Sequence, residues 1–169
     1  MKQIAQLLND MVEAEIITNY ALFGAMAQMR YTEPVATLDA DVLVGVPSPE
    51  KLDVLTPLYG FCSERGYEAE GETVRVGAWP VQFIPAFNEL TRDAMEEADT
   101  ADFEGISLRV VQATYLALIA LSVGRAKDWT RILSLLESGS ATQDSISSLA
   151  AQYNLSEAWE NFRKRFLSD

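Results

Sequence analysis

Apolar residues recur at helical spacing from the start of the chain. Ile4, Leu7, Leu8, Met11, Val12 and Ile16 predict a helix over Lys2 to Ile17 with one buried face. Tyr20 to Phe23 is short and apolar and reads as a buried strand, after which Gly24 permits a tight turn into a helix over Ala25 to Arg30. Val35 to Val46 reads as the next strand, stopped by Pro47 and Pro49. Ser48 is placed to cap a helix from Pro49 to Glu64, with Gly66 closing it. A meander follows, in which Tyr67 to Glu70, Thr73 to Val76 and Trp79 to Ile84 are separated by glycine turns. Asn88 suits the cap of a helix over Glu89 to Ala98, and Ser107 to Val110 reads as one last strand. Beyond it the period is helical to the end. Gln112 to Val123 is almost wholly apolar, and Lys127 to Glu137, Asp144 to Tyr153 and Ser156 to Phe166 complete the set. The layout predicts an α+β class: a mixed β-sheet flanked by helices over residues 1–104, followed by a C-terminal helical bundle packed on it over 105–169.

The chemistry concentrates in Thr37-Leu38-Asp39-Ala40-Asp41. Side chains two apart on a strand share a face, so Asp39 and Asp41 point one way while Leu38, Ala40 and Val42 point the other. Two like charges side by side are costly unless a cation sits between them. A hard divalent ion such as Mg²⁺ answers that need with oxygen ligands and several retained waters. The competing structural reading is a charged edge strand protected against aggregation. Upstream, the turn at Gly24 and Ala25 would offer backbone N–H groups to a phosphate.

Composition narrows the chemistry further. The 169 residues contain no histidine, which removes Ser-His-Asp triads, HExxH metalloproteases and most zinc enzymes. Catalysis would have to use carboxylates, Lys, Arg, Tyr, Ser or a metal. The single cysteine, Cys62, excludes an intrachain disulfide. A net charge of −12 argues against broad nucleic-acid binding, which depends on neutralising phosphates. The one dense basic run, Arg163-Lys164-Arg165, reads as favourable charge at a helix C-terminus. Trp79, Trp129, Trp159 and the tyrosines read as core. No apolar run is long enough to span a membrane, and a cytoplasmic protein is the simplest expectation.

Phe23-Gly24-Ala25 followed by Asp39-Ala40-Asp41 resembles the nucleotidyltransferase superfamily, in which a Gly-Gly or Gly-Ser turn after a strand precedes an Asp-x-Asp strand; Ala25 stands here in place of the second Gly or Ser. Gly124-Arg125-Ala126-Lys127-Asp128 resembles the Gly-Arg-x-Lys-Asp motif of the AbiEii-type branch, found among bacterial toxin–antitoxin and phage-defence systems. The resemblance implies a nucleotidyltransferase-like core, Mg²⁺ as cofactor and transfer of NMP from an NTP to an acceptor: a protein, a tRNA or a small molecule. It assigns Asp39 and Asp41 to metal binding and catalysis. Gly24, Ala25, Thr37, Arg125 and Lys127 would bind the nucleotide. A further reading is an interaction protein whose helical half docks a partner, such as the other member of a toxin–antitoxin pair.

Two further positions depart from the pattern. Gln82 stands where the family's third carboxylate is expected, and it is neutral. Arg131 stands where another acid usually follows the Lys-Asp pair. Glu70 and Glu72, at the preceding turn, are candidates for a substitute carboxylate. The alternative function is therefore a catalytically degenerate nucleotide-binding or protein-interaction module.

Overall fold

A computed structural model describes residues 1–167. Its centre is one mixed sheet of seven strands, in the order β3-β4-β5-β2-β1-β7-β6. The strands are β1 (Asn19–Phe23), β2 (Ala40–Gly45), β3 (Ala69–Glu70), β4 (Thr73–Val76), β5 (Trp79–Pro85), β6 (Asp99–Phe103) and β7 (Ile106–Val110). The β1/β2 pair is antiparallel, whereas β2/β5 and β1/β7 are parallel. β1 and β2 thus lie at the middle, and their burial reflects it: Tyr20, Ala21, Leu22, Val42, Leu43 and Val44 are all inaccessible.

The helices are α1 (Lys2–Glu13), α2 (Gly24–Gln28), α3 (Thr56–Glu64), α4 (Glu89–Glu96), α5 (Ala113–Val123), α6 (Ala126–Glu137), α7 (Gln143–Gln152) and α8 (Ser156–Phe166). α5 is apolar all round, as a fully buried helix must be, and α6, α7 and α8 pack against it. It ends at Gly124, whose left-handed φ of 72° breaks the helix and lets α6 start at a new angle. Trp159 and Phe162 stack in the core between these helices, their ring centroids 5.5 Å apart.

Four expectations are corrected. The Asp-x-Asp strand begins at Ala40, not Val35, because its ladder with β5 opens at Ala40↔Val81 and β1 ends opposite Asp41. Leu38 consequently faces solvent, 88% exposed, instead of joining the buried face with Ala40 and Val42. The helix expected from Pro49 begins only at Thr56, where Asp53 Oδ1 accepts the Thr56 N–H at 3.0 Å and Pro57 occupies the first turn. α1 stops at Glu13, before a left-handed Glu15 (φ 57°). Finally, β6 escapes the hydrophobic pattern because it is an edge strand, exposed at Thr100, Asp102 and Phe103. It forms a hairpin with β7 across Glu104-Gly105, so the sheet runs to Val110 before the chain turns wholly helical. Asn88 behaves as expected, its side chain accepting the Thr91 N–H at 2.8 Å to cap α4.

Candidate active-site cleft

The sheet register brings three sequence-distant positions together. β1 ends at Phe23, paired with Asp41, so Gly24 lies beside that carboxylate as the chain turns into α2. On the other side of β2, Gln82 of β5 is the register partner of Asp41. Gly24 has φ +65°, and a Cβ there would collide with Asp41 Oδ2. The glycine is thus required twice, by backbone conformation and by the acid packed on it.

A cleft of about 510 Å³ opens above this point. One wall is the segment entering β2: Val35, Ala36, Thr37, Leu38, Asp39 and Asp41. The facing wall is α6, which contributes Lys127, Thr130, Arg131 and Ser134. These four follow i, i+3, i+4, i+7 spacing and so share one helix face. Ala25 and Gln28 of α2 form the floor. Thr37 Oγ1 donates to the Asp39 carbonyl at 3.0 Å and lies 3.4 Å from Asp39 Oδ1, bracing the turn that presents Asp39.

The first turn of α6 is tightly organised. Asp128 is buried, its side chain 1% exposed, and Arg125 Nε reaches Asp128 Oδ2 at 2.7 Å. The Arg125 backbone N–H donates to the same oxygen at 3.1 Å, closing the N-terminus of the helix. Arg131 is 12% exposed; its Nε donates to Oε1 of the buried Gln28 at 3.0 Å, and its Nη1 lies 3.8 Å from Asp128 Oδ1. α6 is thereby tied to α2, the helix that starts at Gly24.

Electrostatics follow from this packing. Burial, then the neighbouring Asp39 charge, pushes Asp41 above the usual carboxylate range, while Arg131, Lys127 and Arg125 oppose the shift. Burial also disfavours the Asp128 charge, but the Arg125 hydrogen bonds and the charges of Arg125 and Arg131 outweigh it and hold Asp128 low. Burial lowers Arg131, opposed by the charges of Asp128 and Asp41. An arginine keeps its charge at neutral pH through such a shift.

Of the residues singled out from sequence, Ala25, Thr37, Asp39, Asp41 and Lys127 line the cleft. Gly24 is buried beneath Asp41, and Gln82 sits on the strand beside it. Arg125 is not a lining residue; its guanidinium is engaged by Asp128. Glu70 cannot substitute for a third acid, because it pairs with Arg75 at 2.7 Å on β3, three strand positions from β2. Glu72 follows it in the turn before β4, equally remote. Among the described residues, no group of three or more His, Cys, Asp or Glu side chains is placed to hold a metal. Gln28 and Thr130 went unnoticed in sequence. The helical spacing of 127, 130, 131 and 134 was the available signal for the α6 face, but Gln28 announces itself only through burial.

No protein-family model matches the sequence, and no curated protein matches it either. Similarity appears in solved structures. An antigenic nucleotidyltransferase-like protein from Paracoccidioides brasiliensis superposes with a TM-score of 0.56 at 13% identity, over 95% of this chain and 93% of that one. The antibiotic-resistance factor ANT(2'')-Ia superposes with a TM-score of 0.52, also at 13% identity, over 95% and 94% of the two chains. Nearly the whole chain takes part in both likenesses, so the mixed sheet and its helices together form a nucleotidyltransferase-like fold.

Proposed function

We propose that this chain binds a nucleoside triphosphate in the cleft between β2 and α6 and transfers its NMP to an acceptor in a Mg²⁺-dependent reaction. The observation that carries this reading is the convergence of Asp39, Asp41 and Lys127 on one cleft, with the Gly24 turn packed against Asp41. Two adjacent carboxylates fit Mg²⁺, which commonly takes one or two protein carboxylates and completes its shell with water and substrate phosphates. When bound, the ion would neutralise phosphate charge and polarise the phosphoryl group. Asp39 and Asp41 would hold it, and Lys127 would pair with phosphate oxygens as charge develops on the leaving pyrophosphate. The backbone near Gly24 and Ala25 would contact the terminal phosphates. Arg125 would act through Asp128, as a positioning residue for α6.

The acidic surface disfavours a long nucleic acid as acceptor, leaving a protein hydroxyl, a tRNA end or a small molecule. The AbiEii-like stretch Gly124–Asp128 supports a toxin–antitoxin or phage-defence setting, with a protein partner. The Asp41↔Gln82 register favours a second reading. With a neutral amide beside Asp41, the site lacks an obvious general base, and a nucleotide-binding module without turnover fits the same cleft.

Calorimetric titration of ATP, GTP, CTP and UTP with and without Mg²⁺, paired with a pyrophosphate-release assay, tests the proposal. Mg²⁺ is expected to tighten binding about tenfold or more, and the Asp39→Ala/Asp41→Ala variant to lose that gain. Affinity that ignores both the ion and the aspartates sinks the metal-dependent reading. Mg²⁺-dependent binding without pyrophosphate release, across a panel of protein, tRNA and small-molecule acceptors, selects the binding module.

A further inference from the structure

The two walls of the cleft carry opposite charge. Asp39 and Asp41 stand on one; Lys127 and Arg131 stand on the other, one helical turn apart. Asp128, in the first turn of this helix, is shared between Arg125 at 2.7 Å and, more loosely, Arg131 at 3.8 Å. Lys127 is exposed and has no hydrogen bond or ion pair among the described residues. Arg131 is the reverse case, nearly buried and fixed. A guanidinium has five N–H donors in a planar fork. Nε is spent on Gln28, and Nη1 lies at a long 3.8 Å from Asp128, so donors remain for the cleft that Arg131 lines. The hydroxyls of Thr130 and Ser134 donate back to the carbonyls of Ala126 and Thr130, at 3.2 and 3.0 Å, so this face acts through its two charges.

Holding a guanidinium in a fixed, mostly desolvated position costs free energy, and its hydrogen bond to Gln28 is to a neutral partner. Such a group is preorganised for a multivalent anion, because its ordering cost is met before the ligand arrives. We propose that the α6 face binds the triphosphate group directly, through Lys127 and Arg131, without requiring a divalent cation. This inference rests on reading the cleft as a nucleotide site and divides that site in two. The aspartate wall serves the metal, and the α6 wall recognises phosphate by itself. Metal-free triphosphate then binds against the repulsion of Asp39 and Asp41 on the facing wall.

The test is calorimetric titration of inorganic triphosphate into the full chain in excess EDTA, with Mg²⁺–ATP run in parallel and folding checked by circular dichroism. Wild type is expected to bind triphosphate in EDTA. Lys127→Ala and Arg131→Gln should each weaken that binding roughly ten- to hundredfold. Arg131→Lys, which keeps the charge but loses the fork held by Gln28, should fall between. Asp39→Asn/Asp41→Asn should tighten binding severalfold, since two repelling charges are gone. A purely structural Arg131 predicts instead that folded Arg131→Gln and Lys127→Ala bind like wild type, and that result overturns the proposal. So does the absence of any binding in EDTA by folded wild type. If Mg²⁺–ATP still binds through the aspartates in that case, the nucleotidyltransferase reading survives alone. If triphosphate binds in EDTA while Mg²⁺–ATP gains nothing from the aspartates, the α6 site stands and the metal-dependent reading falls.

Discussion

The carboxylate of Asp41 occupies the space that a Cβ at residue 24 would need, so Gly24 and Asp41 are packed as one unit at the junction of β1, β2 and α2. The pairing joins the start of the glycine turn to the second acid of the Asp-x-Asp stretch.

Gly24→Ala should therefore damage both stability and the site. The substitution forces a non-glycine residue to φ +65° and pushes Asp41 from its place. A loss of about 1–3 kcal/mol in urea denaturation is expected, with weaker Mg²⁺–nucleotide binding measured beside it. An unchanged midpoint and unchanged affinity would show that the close approach is not needed.

Gln82→Glu places a carboxylate at the register partner of Asp41. If the missing acid limits turnover, pyrophosphate release should rise about tenfold or more with Mg²⁺ present. Without Mg²⁺ the same variant should melt at a lower temperature than wild type, because a third negative charge joins Asp39 and Asp41. A rate no higher than wild type would leave Gln82 as an ordinary strand residue.

Asp41→Asn should raise the metal-free melting temperature at pH 7, by roughly a few degrees. Asp41 titrates above its ordinary 3.8 in the folded chain, first because of burial and next because of Asp39. A carboxylate raised on folding costs stability once ionised, so its cost is absent below pH 3.8 and complete above the folded value. Wild type and variant should converge as pH falls through that window. Equal melting temperatures across the whole range would refute the assignment.

Asp128→Asn should have the opposite effect. Removing the acid that Arg125 and Arg131 share leaves Arg131 poorly paired beside α2, at an expected cost of about 1–3 kcal/mol. Because Asp128 is held below its ordinary 3.8, its contribution is present above that pH and disappears as pH falls through the lower folded value. Urea midpoints for wild type and variant should differ at pH 7 and approach each other under strong acid.

Much of the architecture was legible because burial imposes periods on the chain. α5 shows itself as an apolar helix, α6 and α8 as amphipathic ones, and β4 and β5 as alternating runs between glycine turns. The irregular stretch before Ala40 and the late start of α3 were not legible. Whether Val35–Asp39 joins a strand depends on finding a hydrogen-bonding neighbour, and the end of β1 supplies none. β6 was equally hidden, since an edge strand with an exposed face carries no hydrophobic alternation.

The sequence by itself determined which chemistry is available: no histidine, two acids two residues apart, a glycine before them, and a lysine on a later amphipathic helix. Local spacing encodes those facts because they depend on residues a few positions apart. Only the tertiary structure decided that Gly24 packs on Asp41, that Gln82 lies beside it, and that Arg131 is fixed by Gln28. It also decided that Lys127 faces the cleft. Those relationships join residues up to 103 positions apart, as between Arg131 and Gln28. They arise from sheet register and helix docking, which are set by burial across the whole core and by no single local pattern.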